Sequence, residues 1–159
     1  MPTALGCAAA LTLAAGCSAA AATGAPGNSA AKSAVTVKVD ARSVPGVGTV
    51  LVTSTGYALY MFEPDNRHSV SCTGACAGTW PPLQLPAGAA PAAGPGVKPS
   101  LLGSDPDPAG GRVVTYDGWP LYTYTGDIQP GQATGQNIDL NGGEWYVIGP
   151  SGQPLIPAP

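Results

Sequence analysis

The chain has 159 residues, of which 9% are charged, and its formal net charge is −3 at pH 7. A typical globular domain has about 25% charged residues, so this composition argues against a nucleic-acid-binding protein, which needs a basic surface. Gly and Pro are abundant, at 23 and 18 residues, and their position between short apolar runs predicts turns rather than disorder.

The amino end is apolar and resembles an export signal. Residues 1–31 carry no charged side chain, and Cys17 follows Leu-Ala-Ala-Gly. This segment resembles the lipobox, at which a signal peptidase cuts before a cysteine that then carries acyl chains. It departs from the usual pattern because Leu13 lies four residues before the cysteine instead of three, and because no Lys or Arg precedes the apolar stretch.

We therefore predict a lipoprotein signal peptide over residues 1–16, lipidation of Cys17, and a flexible tether of small and polar residues over 17–33. The alternatives are an ordinary secretory signal and an uncleaved hydrophobic anchor. Cys7 lies in the segment to be removed and has no predicted role. The sequence predicts an extracytoplasmic protein that is attached to the cell membrane by its lipid.

The rest of the chain, residues 34–159, predicts a single compact all-β domain with little helix. Its apolar residues alternate with a period of two, and Gly, Pro, Asp or Asn bounds each run. The predicted strands are Val35–Val39, Thr49–Ser54, Ala58–Glu63, Arg112–Tyr116, Leu121–Thr125 and Glu144–Ile148. The Pro-rich stretch from Pro86 to Gly103 predicts a linker, and Asp105 to Gly111 predicts a polar loop.

An internal repeat organises this domain. Val50–Asp65 aligns with Arg112–Asp127 at an offset of 62 residues, with six identities. Each copy predicts a β-hairpin with a tight turn at a glycine, followed by a turn at the aspartate. We place repeat 1 at about 48–85 and repeat 2 at about 111–148. A single hairpin is marginally stable in water, so the two repeats are expected to share one core.

A short motif ends each aligned copy, and it resembles a known family. The motif Y-x-[FWY]-x-x-D is formed by Tyr60, Phe62 and Asp65 in the first copy, and by Tyr122, Tyr124 and Asp127 in the second. Together with the segment from Cys72 to Leu83, which contains Cys76 and Trp80-Pro-Pro, this resembles the secreted repeat of unknown function, a family of predicted bacterial lipoproteins. The resemblance implies an exported protein of two repeats and implies no activity. The segment Asn66-Arg67-His68 departs from it, because a glycine-containing turn would be more usual there.

The two cysteines of the domain are the first candidates for chemistry. Cys72 and Cys76 are expected to form a disulfide, because an exported protein matures where thiols oxidise. Thiol exchange by the same pair is the alternative. A soft metal such as copper is a further one, since His68, Cys72, Cys76 and Met61 are ligand types that it accepts. We predict no cofactor.

The motif aspartates and the tryptophans each have two interpretations. Asp65 and Asp127 are either a pair of acid and base carboxylates or turn caps that accept backbone N–H groups two residues on, and the second is favoured. The motif aromatic residues are expected in the core, with the tyrosine hydroxyls bonded at its rim. The tryptophans are either core residues or contacts for a glycan or peptide ligand in a groove, and they are Trp80, Trp119 and Trp145.

None of the common catalytic motifs occurs in this sequence. The leading functional prediction is an exported, membrane-anchored and non-enzymatic surface module, either structural or binding a cell-wall or surface-protein ligand. The alternative is a redox or copper-handling lipoprotein that uses Cys72 and Cys76.

Overall fold

A computed structural model describes residues 35–157 of the chain. The described part is built almost entirely from short strands, which confirms the predicted all-β class. The predicted signal peptide, Cys17 and the tether lie outside the described residues. None of the described helices is long and apolar enough to cross a membrane. The strands are β1 (Thr36–Val44), β2 (Gly48–Thr53), β3 (Tyr60–Phe62), β4 (Gln84–Leu85), β5 (Ala90–Ala93), β6 (Leu102–Pro106), β7 (Arg112–Tyr116), β8 (Trp119–Pro120), β9 (Ile138–Asp139) and β10 (Glu144–Val147).

The strands form three small sheets. The first has the order β2-β1-β5, the second β3-β10-β9, and the third β4-β7-β6 with β8 also paired to β7. One short helix, α1 (Ala75–Thr79), and two 3₁₀ turns, Glu63–Asp65 and Pro99–Leu101, complete the secondary structure. The predicted low helix content is confirmed.

The Pro-rich linker contains strands that its sequence did not predict. Ala90–Ala93 forms β5 and pairs in parallel with β1, with Pro91 opposite Val37. Proline lacks a backbone N–H, and β5 is an edge strand, where this loss is tolerated. The predicted loop at Asp105 is also wrong, because Asp105 lies in β6 opposite Val113 of β7. Gly and Pro interrupt the apolar alternation in both segments, so periodicity could not reveal these strands.

The hairpin turns differ between the two repeats. In repeat 2 the strands β7 and β8 are joined by Asp117 and Gly118, both with positive φ (51° and 81°), as a two-residue hairpin turn requires. In repeat 1 the segment that follows the turn pairs with β2 through one isolated β-bridge, between Val52 and Ala58. The predicted strand Leu121–Thr125 is not formed; this segment makes only isolated bridges from Tyr122.

The repeats are interleaved, because strands of one pair with strands of the other. Strand β3 of repeat 1 pairs with β10 of repeat 2, and β4 at the end of repeat 1 pairs with β7. Buried residues from both copies fill each of two apolar clusters. Each repeat therefore depends on the other for its core.

Candidate functional site

The two motif tyrosines meet at the centre of the domain. The backbone N–H of Tyr60 donates to the carbonyl of Tyr122 at 2.9 Å, and the N–H of Tyr122 donates to the carbonyl of Tyr60 at 3.0 Å. This mutual pair is the contact of antiparallel strands. The two motifs are thus related to each other by an approximate twofold axis.

Each motif tyrosine is bonded to the aspartate of the other motif. The Tyr60 hydroxyl donates to Asp127 Oδ2 at 2.7 Å, and the Tyr122 hydroxyl donates to Asp65 Oδ2 at 2.7 Å. All four residues are buried. The first and last positions of Y-x-[FWY]-x-x-D thus serve one function, which is to join the two repeats through the interior.

The second oxygen of each aspartate holds the loop that follows its own motif. Asp65 Oδ1 accepts the N–H of Ser71 at 2.8 Å and its hydroxyl at 2.6 Å. Asp127 Oδ1 accepts the N–H and the hydroxyl of Thr134, both at 2.7 Å. The aspartates are loop caps, but the predicted partner two residues on is wrong, because the capped N–H lies six or seven residues later. The predicted hydroxyl position at the core rim is also wrong, since the tyrosines are bonded to buried carboxylates.

These contacts leave the carboxylates little capacity for acid and base catalysis. Each one already accepts three hydrogen bonds and is buried. Burial, and then the hydrogen bond to the partner aspartate, raise the pKa of the Tyr60 hydroxyl far above its usual value. Burial and the nearby Asp65 charge do the same to the pKa of Tyr122. The tyrosines therefore stay protonated and act as hydrogen-bond donors.

The buried position of Asp65 makes stability depend on pH. Burial raises the pKa of its carboxyl above the ordinary 3.8, and the hydrogen bonds from Ser71 and Tyr122 offset part of the rise. The folded protein therefore binds this proton more tightly than the unfolded chain does. The stability that Asp65 contributes is fully present below pH 3.8 and is lost as the pH rises through the raised pKa.

We expect the free energy of unfolding of the native protein, relative to an Asp65→Asn variant, to decrease between about pH 3 and about pH 7. Urea unfolding at a series of pH values measures this difference. The exposed Asp139 in β9 provides the control, because an Asp139→Asn variant should show no such trend. A difference that grew with pH would show that hydrogen bonds to the ionised carboxylate outweigh its burial.

The aromatic position of each motif belongs to a stack of four rings. The Trp80 and Trp145 rings lie 3.9 Å apart with an interplanar angle of 2°. Phe62 of repeat 1 stacks on Trp145 of repeat 2 at 4.2 Å, and Tyr124 of repeat 2 stacks on Trp80 of repeat 1 at 4.2 Å. The middle motif position thus also joins the repeats, with the tryptophans at the centre of the stack.

This stack corrects the predicted ligand groove. Trp80 and Trp145 are both 0% exposed, so neither can contact a glycan or peptide. Trp119 lies outside the stack, is partly exposed, and has the Arg67 guanidinium 5.5 Å from its ring centre. Stacked aromatic rings are most stable when water is excluded, which explains why the aromatic density marks the core and not the surface.

The predicted disulfide is confirmed. Cys72 and Cys76 are bonded, with their Cα atoms 5.2 Å apart, and Cys76 lies in the short helix α1, which the sequence had not predicted. Cys72 is buried in the same apolar cluster as the tryptophan stack. The disulfide therefore fastens the loop that carries Trp80 into the core.

The suggested metal ligands do not come together in the structure. Both sulfur atoms are bonded to each other, Met61 packs in the other apolar cluster, and His68 is on the surface. Within residues 35–157, no three His, Cys, Asp or Glu side chains come together in an arrangement that could hold a metal ion. In this oxidised form, neither cysteine has the free thiolate that a copper site would use.

Loss of the disulfide is expected to lower the free energy of unfolding by about 2 kcal/mol, because the closed loop is short. Urea unfolding of a Cys72→Ala, Cys76→Ala double variant measures this. Alkylation before and after reduction, followed by mass spectrometry, should show both residues blocked until reductant is added. Two free thiols and a bound metal in the native protein would instead support the redox or copper-handling alternative.

Sequence reasoning missed the hydroxyl residues that complete the motif contacts. Ser71 and Thr134 occupy equivalent places after Asp65 and Asp127, and the second spacing is longer by one residue. Extending the repeat alignment through a one-residue gap would have found this pair. The cross-repeat pairing of Tyr with Asp had no sequence signal, because within each copy the tyrosine precedes its own aspartate.

Comparison with known proteins supports this two-repeat description. The model of the family described as secreted repeat of unknown function matches at residues 43–84 and 105–148, which together are more than half of the chain. Neither the search of curated proteins nor that of solved structures found a match. The family description implies that the domain acts outside the cytoplasm. With the repeat motifs, their pairing and this match together, the chain belongs to the family of the secreted repeat of unknown function.

Proposed function

We propose that this protein is a non-enzymatic binding or structural module at the cell surface, attached to the membrane through a lipid on Cys17. The observation that carries the proposal is the use of the motif residues. The six motif side chains join the two repeats in the interior through the Tyr–Asp bonds and the aromatic stack. Because the shared motif builds the interior, and function resides in sites added to a fold, the contacts with a ligand are to be sought elsewhere on the surface.

Anchoring is supported by the sequence around Cys17. A single acyl chain binds membranes only weakly, whereas the diacylglycerol of a processed lipoprotein supplies two chains and gives stable attachment. The tether of small residues that follows would let the folded domain extend away from the membrane surface. These features fit a module that presents its domain to the space outside the membrane.

The anchoring proposal is tested with a Cys17→Ser variant, expressed in a bacterium that processes lipoproteins. The native protein should fractionate with membranes, and its amino-terminal peptide should carry a diacylglycerol mass on Cys17. The Cys17→Ser variant should move to the soluble fraction. A Cys7→Ser variant is the matched control and should behave as the native protein. Retention of Cys17→Ser in the membrane would overturn the lipid anchor.

A further inference from the structure

A surface cleft of about 310 Å³ lies where the loop after the first motif meets the β7–β8 turn of repeat 2. Its walls combine charged, hydroxyl and glycine residues with two leucines. This size is near the lower end of the range for small-molecule sites, about 300–1,000 Å³. The polar lining residues are Arg67, His68, Ser100, Thr115 and Asp117.

The equivalent place in repeat 2 shows what the fold itself requires. The N–H of His68 donates to the carbonyl of Gly118 at 2.8 Å, and the N–H of Gly131 donates to the carbonyl of Gly56 at 3.0 Å. His68 and Gly131 are thus matching positions, each bonded to the hairpin turn of the opposite repeat. Both have positive φ, 55° and 84°. Glycine adopts this conformation without steric cost, and repeat 2 uses glycine there.

Repeat 1 has the side chain of His68 where repeat 2 has glycine. Asn66, Arg67 and His68 are three consecutive residues with positive φ (49°, 61° and 55°). Each non-glycine residue in this region costs conformational energy, and such strain is concentrated at functional sites. The strained residues that bear a titratable or cationic group, Arg67 and His68, are the ones that line the cleft. The cost points to a function for these two side chains.

Neighbouring groups hold both side chains in place. Arg67 Nη2 lies 3.1 Å from Asp117 Oδ2, and His68 Nδ1 lies 3.4 Å from Asp105 Oδ2. The His68 imidazole rests on Gly118, where a Cβ atom would come within 2.7 Å of Nε2. Among the residues that line the cleft, the positive charge of Arg67 is matched by the negative charge of Asp117, so the cleft offers donors and acceptors with little net charge.

We propose that this cleft binds a neutral polyhydroxylated ligand, namely a sugar ring. A hydroxyl group both donates and accepts, so it can pair with the guanidinium and imidazole as well as with the Asp117 carboxylate and the hydroxyls of Ser100 and Thr115. An anion would meet the two carboxylates beside the basic groups, which disfavour it. This inference adds a ligand class to the proposed function of a binding module. It rests on that proposed function only for the location of the protein at the cell surface.

Two buried polar atoms beside the cleft support this choice. Asp105 Oδ2 and Trp119 Nε1 have no hydrogen-bond partner among the described residues. One is an acceptor and the other a donor, and a buried polar atom without a partner is costly. The His68 imidazole, which is 74% exposed, lies over the carboxylate with Nδ1 at 3.4 Å from Asp105 Oδ2. Both atoms are shielded from solvent, so a ligand hydroxyl reaches either one only when the side chain that covers it moves aside.

The test uses the full chain, purified in mild detergent, and follows its amide and indole NMR signals. The probes are glucose, N-acetylglucosamine and arabinose, each titrated separately, and inorganic sulfate for comparison. We expect at least one sugar to shift the signals of His68, Gly118 and the Trp119 indole in a saturable way. Sulfate should shift them little. The absence of a shift with every sugar, or a saturable shift with sulfate alone, overturns the proposal.

Variants separate binding from folding. Arg67→Ala and His68→Gly should each weaken the sugar response by about tenfold or more, because each removes a hydrogen bond that involves a charged or polar group. Lys98→Ala, on the surface outside the cleft lining, is the control and should bind as the native protein does. His68→Gly should also unfold at the same or a higher temperature, since glycine relieves the strain. A lower melting temperature with unchanged sugar binding would assign His68 a structural role.

This result is independent of the anchoring test. If the native protein fractionates with membranes but binds none of the sugars, only the cleft proposal is overturned. If the native protein binds a sugar but its Cys17→Ser variant stays with the membrane, only the proposed lipid anchor is overturned.

Discussion

An Asp127→Ala variant is expected to lose about 3 to 5 kcal/mol of the free energy of unfolding. The substitution leaves the buried Tyr60 hydroxyl without its acceptor and removes the cap on the Thr134 N–H and hydroxyl. Each buried polar group without a partner costs about 1 to 3 kcal/mol, and the Tyr60 bond also links the two repeats. Urea unfolding followed by tryptophan fluorescence measures the loss.

The control for this prediction is Asp139→Ala, because Asp139 is exposed and lies opposite another acidic residue, Glu144. Its removal should change stability by less than about 0.5 kcal/mol. Tyr60→Phe should cost less than Asp127→Ala, and the double variant should reveal a coupling energy between the two residues. A loss below about 1 kcal/mol for Asp127→Ala would show that the cross-repeat bond is not a main source of stability.

A Trp80→Ala variant is expected to lose a similar amount, about 3 to 5 kcal/mol, the range for truncating a large buried aromatic residue. Trp80 is fully buried between Trp145 and Tyr124, so its removal opens a cavity in the stack that joins the repeats. The same unfolding experiment measures the effect, with the remaining tryptophans as the fluorescent probe.

Trp119→Ala is the matched control, because Trp119 is partly exposed and lies outside the stack. We expect it to cost clearly less than Trp80→Ala, because Trp119 only borders an apolar cluster and contacts the Arg67 guanidinium, whereas Trp80 is fully buried. Equal losses for the two variants would contradict the assignment of the tryptophan stack as the centre of the core.

The sequence alone determined the features that local pattern encodes. The run of β-branched and aromatic residues predicted β7 at its observed bounds, Arg112–Tyr116, because such residues favour strands, and the strand is buried on both faces. The glycine at 118 predicted a tight turn, and the structure has positive φ at both Asp117 and Gly118. The spacing of Cys72 and Cys76 in an exported chain predicted the disulfide.

The tertiary structure alone decided which residues meet across the repeats. Tyr60 and Asp127 are separated by 67 residues, and Tyr122 and Asp65 by 57, so no local pattern could pair them. The repeat alignment gave no partner for either tyrosine, and the fold bonds each tyrosine to the aspartate of the other repeat. The same long-range packing buried Trp80 and Trp145, which the sequence alone left open as core or groove residues. Side-chain periodicity indicates which face of a strand is apolar. Only the folded chain determines which other element packs against that face.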